Sequence, residues 1–526
     1  MFKRDRYLRQ MGAITSIALV AGCGVFSSDS SDDGKPIVVG TTSQPSTLDP
    51  AAAWDSSWEL FRNVHQTLLN FPTGASEPEP DAAESCRFTD SSSSVYSCKL
   101  QEGLKFSNGH TLDAKAVKHS IDRIKKINFN GGPAGLLTTL DRVETKGDLE
   151  VVFRLNQPDA TFPFVLSTPA MSIVDPEDYP ANKLRSDGGV TGAGPYRLES
   201  YDDGKEAQLV KNDSYKGIAK LKNSAVTIRY FPGSSQVVNA LKKKQIDVIY
   251  RGLGATDVVD IQESGDDTGL QLVENPTTEI SYLVFNPKDP WSKRPAVRKA
   301  IAQVIDRPAL VHNIYKDTVE PLYSMIPKGL VGHTTAFFDD FGKPSAAKAK
   351  RILEQDGITE RVPLTLWYTT DRYGSQTKPA FEELKRQLEA SDLFTVTLKS
   401  RPWKTYAPGY QNGEYPVFGR GWNPDFPDAD NFIAPFVGEQ NALGTPYESP
   451  EITGQLIPES RRESDRGAVA AQFEKAQQIL VDDARLLPLW QGKSFVAANE
   501  EIAGAENSID PATMMAMWEL YWKTSW

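Results

Sequence analysis

Histidine and cysteine are scarce in this chain, five and three among 526 residues. His65, His110, His119, His312 and His333 stand singly, with no pair at the short spacing that a metal centre needs, so no metal site is expected. Motifs for common chemistry are missing as well. There is no G-x-S-x-G elbow, no H-E-x-x-H, no G-x-x-x-x-G-K-[ST], and no G-x-G-x-x-G opening a helix. Nothing here calls for a cofactor, and the reading is that of a protein that is not an enzyme. Positive charge is also in deficit. The net charge is -11, and residues 1–22 contribute +3 of it through Lys3, Arg4, Arg6, Arg9 and Asp5, which leaves -14 from Cys23 onward. So acidic a surface repels nucleic acid and anionic lipid and excludes both as principal partners.

Long hydrophobic runs are confined to the start. Four basic residues precede an apolar stretch, Met11 to Val20, that closes on Val20-Ala21-Gly22-Cys23. This is the order of a secretory signal peptide, 1–22, and it is short of the roughly 20 apolar residues that span a bilayer. Val20-Ala21-Gly22-Cys23 resembles the bacterial lipobox. That resemblance implies a diacylglycerol on Cys23, a lipid tether to the membrane, and a location on the extracellular face of the cytoplasmic membrane. Residues 23–35, rich in serine, aspartate and glycine, read as a disordered linker behind the anchor.

Cys86 and Cys98 flank a serine-rich turn between two short strands, and pairing them centres the hairpin on Ser92. An exported chain meets an oxidising environment, so a cross-strand disulfide is expected.

From Pro36 to Trp526 strands and helices alternate, too many residues for one core. Ile37–Thr41 is a β-branched strand, and Trp54 to Asn70 carries helical periodicity. Asp113 caps a helix running through Ile121 and Ile124, and Pro295 to Ile305 and about Pro379 to Ala390 are further helices. Strands are expected at Leu149–Leu155, Val226–Phe231, Ile246–Tyr250 and Leu364–Thr369. The class is α/β.

Several strings then carry a resemblance. Gly103-Leu104-Lys105-Phe106-Ser107-Asn108-Gly109, leading into the Asp113 helix, is similar to the G-x-x-F-S-D-G segment of the peptide/nickel class of extracellular solute-binding proteins, the receptors of ATP-binding cassette importers. Leu48-Asp49-Pro50, Thr191-Gly192-Ala193-Gly194-Pro195-Tyr196, Tyr282-Leu283-Val284-Phe285-Asn286, Gly421-Trp422-Asn423-Pro424-Asp425 and Leu487-Pro488-Leu489-Trp490 match in the same order. The resemblance implies a two-lobed periplasmic-binding-protein fold with a hinge and an additional inserted domain. Lobe I would comprise 36–57, 190–273 and 488–526, domain II 58–189, and lobe III 274–487. The glycines of 191–196 would supply unusual backbone angles at a domain crossing.

It also implies a function: capture of oligopeptides between closing lobes and delivery, as a monomer, to the transmembrane permease subunits of the importer. Asp425 occupies the position at which peptide-binding relatives pair an aspartate with the ligand's α-ammonium. Main-chain groups of Gly421, Trp422 and Asn423, and of Trp54, Asp55 and Ser56, resemble segments that add strand-like hydrogen bonds to the ligand. Trp403 and Trp422 would line side-chain pockets. Arg372 lies near an arginine of dipeptide-type relatives, although Tyr373-Gly374-Ser375-Gln376 replaces the Pro-Tyr-Asn-Pro that follows it there. Arg420 is one position from an arginine that some oligopeptide-type relatives use. A non-peptide ligand (an oligosaccharide, a metal chelate or haem) stays open within the same class, and outside it an exported enzyme.

Overall fold

Ile37–Thr41 forms the strand its β-branched run predicts, and it sits between two parallel neighbours, Ala225–Tyr230 and Val248–Tyr250. The helix Ser234–Lys242 makes the crossover between those two, as parallel pairing requires. The computed structural model describes residues 35–438, 441–444 and 446–523, so the expected signal peptide, Cys23 and nearly all of the expected linker lie outside the described residues. A second set of parallel strands, Val362–Thr369, Phe394–Arg401 and Val417–Trp422, alternates with the helices Thr377–Ala390 and Trp403–Gln411.

Two long strands join these sets into one eleven-stranded sheet. Leu270–Phe285 and Leu486–Asn499 run antiparallel to each other along almost their whole length. Their ends belong to different neighbourhoods: Val496–Ala498 pairs with Val248–Tyr250, whereas Ile280–Phe285 pairs with Val417–Trp422. Between Pro276 and Ile280 the register breaks. Separate hydrophobic clusters cover the two halves, one around Ile37, Val226 and Val496, the other around Leu283, Leu364 and Leu487.

A four-stranded antiparallel sheet stands apart, built from Ala83–Phe88, Val95–Leu100, Glu150–Leu155 and Leu140–Lys146. Cys86 faces Cys98 in its first hairpin, and the two are disulfide-bonded. The helix Ala114–Ile127 packs Val117, Ile121 and Ile124 on this sheet. Asp113 accepts from the amides of Lys115 and Ala116 at 2.9 and 3.0 Å, satisfying two donors that the first turn leaves free. No helix among the described residues is long and apolar enough to cross a membrane.

Two expectations change. The helix expected over Trp54 to Asn70 covers only Ser57–Val64. Beyond His65 the main chain leaves the helix for other partners: the Thr67 carbonyl accepts from the Ala82 amide and that of Leu68 from Asp81, and Leu69–Asn70 pairs with Glu79–Pro80. The glycines of 191–196 are needed for room rather than for backbone angle. A Cβ on Gly192 would fall 1.9 Å from the Val64 carbonyl oxygen, one on Gly194 2.5 Å from that of His65, and neither residue has a positive φ.

Candidate functional site

Parallel strands direct their carboxyl ends to one side, where open α/β sheets place ligands. Here both sets of parallel strands, the crossing pair and the separate four-stranded unit converge on a cavity of about 1210 Å³. Ser43 follows the strand Ile37–Thr41, and Arg251 to Leu253 follow Val248–Tyr250. Arg372 and Tyr373 follow Val362–Thr369, Trp403 follows Phe394–Arg401, and Asn423 to Phe426 follow Val417–Trp422. All ten residues singled out in the sequence for ligand contact line this one space: Trp54, Asp55, Ser56, Arg372, Trp403, Arg420, Gly421, Trp422, Asn423 and Asp425.

Asp425 is 7% exposed and has no cationic partner among the described residues. Its Oδ1 accepts from Trp54 Nε1 at 2.6 Å and its Oδ2 from Asn431 Nδ2 at 3.0 Å. Burial raises its carboxyl above the usual aspartate range, against the lowering effect of those two hydrogen bonds. Asn431 also accepts from the Asp425 amide at 2.9 Å and from Trp422 Nε1 at 3.1 Å, so one amide side chain orients both residues. The alternation Asp428-Ala429-Asp430-Asn431 explains how that loop is fixed. Asp428 forms a two-pronged ion pair with Arg466 (2.8 and 2.9 Å), and Asp430 another with Arg461 (2.8 and 2.7 Å). Asn431, to which the sequence reading assigned no role, is found only through its contacts with Trp422 and Asp425.

Asp55 and Ser56 use their side chains within their own segment. The Asp55 carboxylate accepts from the Ser57 amide at 2.9 Å, and Ser56 Oγ donates to the Gln44 carbonyl at 2.6 Å. Trp54 is 38% exposed and reaches Asp425 through its ring nitrogen. The opposite wall is aromatic and basic. Arg372 lies over the Trp403 ring at 4.4 Å, and Arg420 over Tyr410 at 4.7 Å. Arg420 is 8% exposed, donates to the Ala442 carbonyl at 3.1 Å, and leaves its Nε without a partner among the described residues. Gly421 gives Tyr373 its place, since a Cβ there would lie 2.8 Å from the tyrosine ring.

Sequence reasoning missed the lining contributed by Glu59, Arg251, Glu279 and Thr513. Arg251 Nε donates to Glu59 Oε1 at 2.6 Å, and its Nη2 to the Thr513 carbonyl at 3.0 Å. These residues are far apart in the chain and belong to none of the quoted strings; only Glu279 borders one, three residues before Tyr282. Among the described residues no group of three or more histidine, cysteine, aspartate or glutamate side chains is arranged to hold a metal ion.

The description of the bacterial extracellular solute-binding proteins, family 5 (middle), matches residues 77–444. The chain belongs to that family. Among its relatives is the probable D,D-dipeptide-binding periplasmic protein DdpA of Escherichia coli (strain K12), 25% identical over 489 residues, 89% of this chain and 90% of the relative. Another is heme-binding protein A of Haemophilus influenzae, 23% identical over 481 residues and 84% of each chain. Of solved structures, the periplasmic binding protein DppA from Helicobacter pylori in complex with the peptide STSA superposes with a TM-score of 0.77. It is 22% identical and covers 93% of this chain and 98% of its own. The two-lobed periplasmic-binding-protein fold is therefore the fold of this chain, which is a solute-binding protein of the peptide/nickel class of ATP-binding cassette importers. The family consists of binding proteins rather than enzymes.

Proposed function

We propose that the cavity encloses an oligopeptide and that Asp425 pairs with its α-ammonium. The observation carrying this reading is the Asp425 carboxylate itself, buried, oriented by Asn431 and Trp54, and without a cation among the described residues. A buried charge left unpaired is costly, and a ligand ammonium offsets that cost. Main-chain groups of residues 421–423 and 54–56 extend the ligand's backbone, Trp403 and Trp422 bound its side chains, and Arg372 and Arg420 offer guanidinium groups to a carboxylate.

The division into lobe I, domain II and lobe III belongs to the same proposal. The register break at Pro276–Ile280 supports a hinge there, with Gln491 to Lys493 opposite it in the partner strand. The lobes close on the peptide and the protein delivers it to the permease subunits. A lipid on Cys23 holds it, as a monomer, at the extracellular face of the membrane. Native mass spectrometry of the purified protein, followed by denaturation, tests the ligand class. Release of a ladder of short peptides is expected, and release of one defined sugar, chelate or haem overturns the peptide reading.

A further inference from the structure

The wall formed by the crossing strands brings to the cavity a carboxylate that no cation of the described residues contacts directly. Glu279 stands at the register break and its side chain lines the cavity. Its Oε2 lies 3.4 Å from where a Cβ on Gly492 would be, so the bare position opposite gives the carboxylate space. No hydrogen bond or ion pair reaches that carboxylate from the described residues; Arg251 and Arg372 act on it only at longer range. Arg251 is committed to Glu59 at 2.6 Å, and the second Glu59 oxygen is itself buried without a partner. Lys493, the other cation of this wall, is held 3.1 Å from Glu274. Of the residues lining the cavity here, Arg251 and Lys493 each already have a carboxylate partner, Glu59 and Glu274, which leaves Glu279 without one in direct contact. Arg372 stacks instead on Trp403.

We propose that Glu279 is a cation subsite that takes the ammonium or guanidinium of a basic side chain on the bound ligand. The inference rests on the peptide reading above, in which Asp425 already holds the α-ammonium and leaves Glu279 for a second positive charge. A divalent ion is a poor occupant, because one free carboxylate falls well short of the roughly six oxygen donors such ions collect. A long basic side chain brings its own charge on an apolar stem, and its pairing with a partly desolvated carboxylate is a charge-assisted contact.

The test is calorimetric titration of the purified protein with alanine tetrapeptides carrying lysine, or norleucine of similar shape, at positions two, three or four. At one position lysine is expected to bind about tenfold or more tighter than norleucine, and Glu279→Gln is expected to erase that gap by weakening the lysine peptide. Two results overturn the subsite: no position preferring lysine in the unaltered protein, or equal weakening of both peptides by Glu279→Gln, which marks a hinge role. If the unaltered protein binds none of the tetrapeptides, the peptide reading itself fails and the subsite fails with it.

Discussion

Asp49 and Asp425 are both buried aspartates, 3% and 7% exposed, and the protein treats them differently. Asp49 accepts from Arg123 through both oxygens, at 2.6 and 2.5 Å, and from the amides of Ala51 and Arg185 at 3.0 and 2.7 Å. These bonds tie the segment after the first strand to the helix Ala114–Ile127 and to the loop before Thr191. Asp425 receives only neutral donors. Asp49 has its charge met by the chain and ties scaffold segments together, whereas Asp425 is held in place in the cavity wall by neutral donors, and under the proposed function its countercharge comes from the ligand. The same contrast separates Asp428 and Asp430, each closed by an arginine, from Asp425 a few residues earlier in the same loop.

The largest effect that sharpens this contrast is on stability. Asp49→Ala is expected to lower the free energy of unfolding by about 3 to 5 kcal/mol in denaturant titrations, because Arg123 keeps a buried charge without its partner. Asp425→Asn removes a buried charge that no cation among the described residues pairs with, and the ligand-free variant is expected to unfold at the same denaturant concentration or a higher one. A comparable loss of stability at both positions would erase the distinction between them.

A smaller effect follows from the raised carboxyl of Asp425. A folded-state value above the unfolded one means that ionisation of this group costs stability. The cost accumulates as pH rises from the ordinary aspartate range to the raised value, and it is complete above that. Binding has the opposite sense: an ammonium needs the ionised form, so peptide affinity is expected to fall as pH drops through the raised value, with proton release on binding in that window. Titrations in buffers of different ionisation enthalpy measure that release. Affinity that stays flat across the window would set Asp425 apart from the ligand's charge.

Much of the scaffold was legible because its signals are local. The strand Ile37–Thr41, the Asp113 cap with its helix, the Cys86–Cys98 hairpin and the alternation of Val362–Thr369 with Thr377–Ala390 each declare themselves within a few residues. The crossing strands did not. Only Tyr282 to Phe285 and Leu487 to Trp490 were seen in them, because Glu274, Pro276 and Lys493 interrupt the apolar pattern where the strands pass between the two halves. The helix from Trp54 overran for a related reason: Leu68 and Leu69 continue an apolar rhythm although their backbone pairs elsewhere. Cavity-lining residues were legible where the resemblance pointed to them. Glu59, Arg251 and Glu279 were not, since they meet only through long-range folding.

The most direct measurement compares a tetrapeptide with its N-acetylated form, titrated calorimetrically into the protein and into Asp425→Asn. Pairing with the α-ammonium predicts that the substitution weakens the free peptide by about a hundredfold and the acetylated one little, since only the first carries the charge. Equal losses for both peptides would contradict it.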